Sequence, residues 1–208
     1  MKNKKNTIKN RNKKTRQNFF AGNYSEAWSH VKDSRNFIFF AIAVFFAFSL
    51  VSFFLPVPQQ ISEQILKFIE ELIDTTKDMD AKQMIGFIFF NNLQSSFMGM
   101  IFGVFLGIFP IAVGIVNGYI LGFVASASVS SGGILVLWRI LPHGVFELPA
   151  VFISLGMGLK LGTFIFQNKK FHFLKENFWK SLKAFFLIVV PLLIVAAVIE
   201  GMLIVFTG

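Results

Sequence analysis

The chain has 208 residues, of which 54% are hydrophobic and only 15% charged, with 29 phenylalanines and a mean hydropathy of +0.64. That composition excludes an ordinary soluble domain, and the length suits a single domain whose main solvent is lipid. The absence of cysteine excludes disulfides, thiolate metal sites and cysteine nucleophiles, while the net charge of +9 raises nucleic acid as a partner only if its placement allows it.

The placement points elsewhere. Ten of the twenty basic residues lie between Lys2 and Arg35, against only Glu26 and Asp33. A basic tail over residues 1–36, directly before the first apolar run, fits a topological signal and a contact with anionic lipid headgroups, which attract Lys and Arg at roughly 1 kcal/mol each. No nucleic acid partner is expected. A cleaved signal peptide also fits poorly, because the basic leader is too long and no small-residue cleavage site follows Leu55.

The transmembrane domain is expected over 37–208. Residues 37–55 are continuously apolar, and about 19 residues at about 1.5 Å each cross a hydrocarbon core about 30 Å thick. Pro56 and Pro58 end that run. Across 59–82, Ile61, Ile65, Leu66, Ile69, Leu72 and Ile73 recur at helical spacing opposite Glu63, Glu70, Glu71 and Asp74, which predicts an amphipathic helix against the membrane surface or the bundle. Further spans are predicted at 87–108 and 111–128, with Pro110 as the turning point, and at 148–166 and 184–206. The piece Ile134 to Leu141 is too short to cross and predicts a partial insertion or hairpin. The fold class is thus an all-α membrane protein of about five transmembrane helices, with an extracytoplasmic amphipathic helix and a short re-entrant or broken segment.

Loop charges assign the sides. Pro56 to Gly86 carries three lysines and six acids, whereas Gln167 to Lys183 carries five lysines and Glu176 alone. The second loop should face the cytoplasm and the first should not, which agrees with five crossings and a cytoplasmic amino terminus in a cell membrane.

Two glycine ladders come next in the chain, Gly99, Gly103 and Gly107, then Gly114, Gly118 and Gly122. Each flattens one helix face so that a neighbouring backbone can approach, which in lipid is a principal source of helix association. Internal packing of the two spans is the expected use, with a homodimer contact as the alternative. The ladders flank Pro110, a weak mark of an internal duplication.

Polar groups within apolar surroundings are the candidate site. Asn91, Asn92 and Gln94 are expected near the outer end of the second span, with Arg139, His143 and Glu147 in the outer connection and Glu200 roughly 9 Å inside the last span. These depths predict a cluster of Asn91, Asn92, Arg139, His143, Glu147 and Glu200. His143 and Glu147 share a helix face if Pro142 occupies the first turn. Pairing of Glu200 with Arg139 or His143 is the structural reading, and an ion or proton site the functional one. Lys160 is placed in the inner half, snorkelling inward or bonding near Asn117. Two ligands do not make a metal site, no cofactor is implied, and no H-E-x-x-H, G-x-S-x-G or phosphate-binding loop is present. Ser130-Ser131-Gly132-Gly133 reads as a flexible turn rather than a serine nucleophile site, so no enzyme is expected.

Asn91-Asn92-Leu93, the stretch from Gly107 through Pro110 to Asn117-Gly118 and Leu121-Gly122, and above all Leu141-Pro-His-Gly-Val-Phe-Glu-Leu-Pro-Ala150 resemble the stage II sporulation protein M family of prokaryotic membrane proteins, over roughly Gly86 to Phe206. The resemblance implies a five-span membrane protein with a cytoplasmic amino terminus. In spore formers it implies a non-enzymatic component that holds and localises peptidoglycan hydrolases, and relatives in organisms that never sporulate leave other envelope partners open. Two functions stand against each other: a scaffold docking membrane or envelope proteins through the amphipathic segment or the glycine faces, and a small-solute or ion transporter using the polar cluster. The shortage of polar residues in the inner half favours the scaffold.

Overall fold

The computed structural model describes residues 21–135 and 141–207, and of 141–146 and 204–207 the backbone alone. All regular structure among the described residues is helical. A first helix, α1, covers 21–33, followed after Ser34 by α2 (Arg35–Phe54), α3 (Gln59–Thr76), α4 (Ala81–Ile101), α5 (Ile108–Gly132), α6 (Leu141–Gly162), α7 (Lys170–Ala184) and α8 (Val190–Thr207). Five helical segments among the described residues are long and apolar enough to cross a membrane. The two ends of the bundle differ in charge. The acidic end carries α3, and the basic end carries α1 and α7.

Local chemistry sets the boundaries. The apolar run of α2 stops as Leu55 turns extended before Pro56, and Pro58 precedes the first turn of α3. Helix α4 starts at Ala81, six residues before the expected 87, because Asp80 closes a capping box: its carboxylate accepts the Gln83 N–H at 2.8 Å while Gln83 Oε1 accepts the Asp80 N–H at 2.9 Å. The turn between α4 and α5 lies at Phe105 to Gly107 and not at Pro110. Leu106 and Gly107 have φ of 57° and 71°, and Pro110 sits in the first turn of α5, where its missing N–H costs nothing. The expected turn at Ser130 to Gly133 is instead the end of α5, where the Ser130 and Ser131 hydroxyls donate back to the Ser126 and Ala127 carbonyls.

The lysine-rich stretch expected as a loop is helical. Helix α7 runs through a π-turn at Phe185–Val189 into α8, just before Pro191, whose ring cannot continue the regular hydrogen-bond ladder. The piece at 136–140, part of the expected re-entrant segment, lies outside the described residues. Beyond it α6 already begins at Leu141, with Pro142 second in the helix and Pro149 inside it.

Helix α6 is the axis of the bundle, packed by α2, α4, α8 and more lightly by α5. Ala150, Ser154, Met157 and Leu161 are fully enclosed, and Phe152 meets Phe45 of α2 edge to face at 5.2 Å. The two glycine ladders serve different partners. Gly99 and Gly103 admit Leu155 and the Gly158 backbone of α6, whereas Gly118 and Gly122 lie against the Phe45 and Ser49 carbonyls of α2. Helices α4 and α5, adjacent in sequence, are therefore drawn to different neighbours and barely touch each other.

Candidate functional site

The divergence of α4 and α5 leaves a cavity of about 990 Å3 in the half of the bundle nearest the acidic end. Its side walls come from Met84, Phe87 and Ile88 of α4 and from Ile115, Val116 and Ile120 of α5. The polar side chains within it are Asn91 and Asn92 from α4, Asn117 and Tyr119 from α5, Glu147 from α6 and Glu200 from α8. Helix α3 covers the mouth with Ile61, Ile65, Phe68 and Leu72, residues spaced to lie on one stripe, and adds Gln64 and Thr76.

Four of the six expected cluster residues, Asn91, Asn92, Glu147 and Glu200, thus line one space. Arg139 lies outside the described residues, and for His143 only the backbone, four positions before Glu147 on α6, is described. Because α4 starts at Ala81, Asn91 and Asn92 sit nearly three turns into the helix, deeper than an outer-end position. Glu200 is buried, on a stretch of α8 where Gly201 presses against Ile85 of α4. Asn117 shares this cavity instead of pairing with Lys160; its amide donates to the Val113 carbonyl at 2.8 Å. Sequence reasoning missed Gln64, Thr76 and Tyr119, and with them the role of α3 as a cover. The apolar stripe of α3 was visible, but not the space beneath it.

Lys160 belongs to a second polar group at the basic end. Its ammonium lies within electrostatic reach of Asp33, Lys180 and Glu176. Here α1 docks on α7: His30 is buried and shares a 2.9 Å hydrogen bond between Nε2 and Ser181 Oγ, and Lys183 donates to Glu26. Burial first, and then the Lys160 and Lys180 charges, push the His30 imidazolium down to a pKa of about 4. The Lys183 hydrogen bond holds the Glu26 carboxyl below its ordinary value.

Among the described residues no group of three His, Cys, Asp or Glu is placed to hold a metal. Toward the basic end the Gly103 to Gly107 turn lies backbone to backbone against Gly158 and Gly162 of α6, and none of these glycines lines the cavity. Polar side chains in a largely apolar cavity can orient a guest by a few contacts while the walls bury its bulk.

A polytopic helical membrane protein with a polar-lined cavity under an amphipathic helix is the class these features define. A sequence profile of stage II sporulation protein M matches residues 36–203, and the chain belongs to that family. An uncharacterized protein of Methanocaldococcus jannaschii is 32% identical over 154 residues, covering 68% of this chain and 64% of the relative. The chain therefore spans somewhat less than two thirds of that relative's length. No solved structure matches the chain.

Proposed function

We propose that this protein is a non-enzymatic anchor in the cell membrane that holds other envelope proteins through α3, with its basic end in the cytoplasm. One observation carries the reading. Only half of the apolar arc of α3 is spent on covering the cavity, and Leu66 and Ile73 remain about half exposed beside Glu63, Glu70 and Asp74. An apolar strip bordered by acids on a helix outside the crossing segments suits docking of a partner with a basic-edged apolar groove. Family membership supports the same role, and in a spore-forming host the expected partners are peptidoglycan hydrolases. Charge supports the orientation, because α7 and its flanks carry lysines whereas α3 and its flanks are acid-rich.

The test is photocrosslinking in the native membrane, with a photoreactive residue at Leu66 or Ile73 and, as a control, at the exposed Phe39 of α2. One protein adduct shared by both α3 positions and missing from Phe39 is expected. Lipid adducts alone at Leu66 and Ile73 would remove α3 as the docking element. The transporter reading draws support from the cavity's polar lining, whose described residues all lie in the half of the bundle nearest α3.

A further inference from the structure

We infer that the exposed face of α7 and the start of the apolar run that follows it, marked by Lys175, Trp179 and Phe186, is a binding site for an anionic phospholipid. The inference depends neither on the anchoring role of α3 nor on which leaflet the basic end meets.

Helix length sets the depth of this face. The helical stretch Lys170–Leu203 has 34 residues, about 50 Å at about 1.5 Å each, against a hydrocarbon core about 30 Å thick, so part of it must stand outside the core. Its lysines, Lys170, Lys175, Lys180 and Lys183, all precede Ala184, and the part that emerges is therefore α7. Lys175, Trp179 and Phe186 follow one another at intervals of four and then seven residues, a spacing that keeps them on one side of a helix, and all three are exposed. Phe186 lies past the last lysine, toward the hydrocarbon. Trp179 lies about 10 Å back along the helix toward the headgroups, where an indole is favoured, and Lys175 one turn further out. Apolar surface, interfacial ring and charge thus succeed one another as chain, glycerol and headgroup do along a phospholipid.

The charge balance selects an anionic headgroup. The acids at this end of the molecule are engaged: Glu176 accepts from Lys180, Glu26 accepts from Lys183, and Asp33 lies within electrostatic reach of Lys160 and Lys180. Lys175, together with Lys169 and Lys170 at the start of the helix, is exposed and enters no ion pair among the described residues. A phosphate with net negative charge gives these ammonium groups a partner, whereas a zwitterionic headgroup brings its own cation and gains less.

The full-length protein carrying Trp28→Phe and Trp138→Phe keeps Trp179 as its one tryptophan and provides the test, in phosphatidylcholine vesicles to which a lipid brominated on its acyl chains is added. Brominated phosphatidylglycerol should quench Trp179 with an apparent affinity about fivefold above that of brominated phosphatidylcholine. Lys175→Gln should bring the two lipids level, and Lys175→Arg should keep the preference. Lys32→Gln, an exposed lysine on α1, should leave it unchanged. Should the single-tryptophan protein fail to fold, native mass spectrometry of phosphatidylglycerol retained by the chain with and without Lys175→Gln gives the same comparison. Equal quenching by the two lipids overturns the proposal. So does a preference that survives Lys175→Gln, which would belong to the net positive charge of the chain and not to this face.

Discussion

His30 shows how a single titratable residue can be read only through its surroundings. In sequence it is one more member of a basic tail. In the structure it is buried where α1 meets α7, bonded to Ser181, and lies within electrostatic reach of Lys160, Lys180, Asp33 and Glu176. Its pKa in the folded protein, about 4, lies below the ordinary 6.5, so between those values the unfolded chain binds a proton that the folded one refuses. This contribution to stability is complete above pH 6.5, falls as pH drops through that window and levels off below 4, with a limiting slope of about 1.4 kcal/mol per pH unit. Thermal unfolding at pH 7, 6, 5 and 4 should show a steeper acid loss for the parent protein than for His30→Gln. Coincident slopes would mean that His30 is not the titrating group.

Between elements, the glycine ladders decide which helices can meet. A Cβ at Gly103 would collide with the Gly158 carbonyl of α6, whereas one at Gly114 would find Val44 at 3.9 Å, an ordinary contact. Gly103→Ala should therefore cost about 1–3 kcal/mol through forced separation of backbones. Gly114→Ala should be neutral or slightly stabilising, since alanine is the better helix former. Melting temperatures of the two variants in detergent check this, and equal values would show that the backbone contact at Gly103 is not as tight as the structure has it. The presence of both ladders was legible from spacing alone, and so was the amphipathic stripe of α3. Their partners were not, because a flat face states only that something can approach. The early start of α4 was legible in principle in Asp80 and Gln83, three residues apart; hydropathy hid it, since Ala81 to Gly86 is less apolar than the run beginning at Phe87.

At the scale of the whole molecule, crossing by all five of the helices long and apolar enough to do so would put α3 on one side and α1 with α7 on the other. The native chain has no cysteine, so single substitutions report sidedness without background. A membrane-impermeant maleimide should label Glu70→Cys in intact cells and Lys175→Cys only after permeabilisation. Labelling of both in intact cells would contradict an odd number of crossings between α3 and α7.

Fold class, the number of spans and the charge contrast between the two ends were determined by sequence alone, because each depends on local quantities: the length of an apolar run, the hydrophobic period and the count of lysines in a loop. The candidate site was only half legible. Asn91, Asn92, Glu147 and Glu200 are visible as polar residues in apolar surroundings, yet their convergence depends on α6 and α8 bringing residues 53 positions apart to the same depth beside α4. Tertiary structure alone decided that α4 and α5 part company, since one ladder fits α6 and the other α2, and two adjacent helices held by different neighbours cannot also close on each other. The cavity is the space that this division leaves.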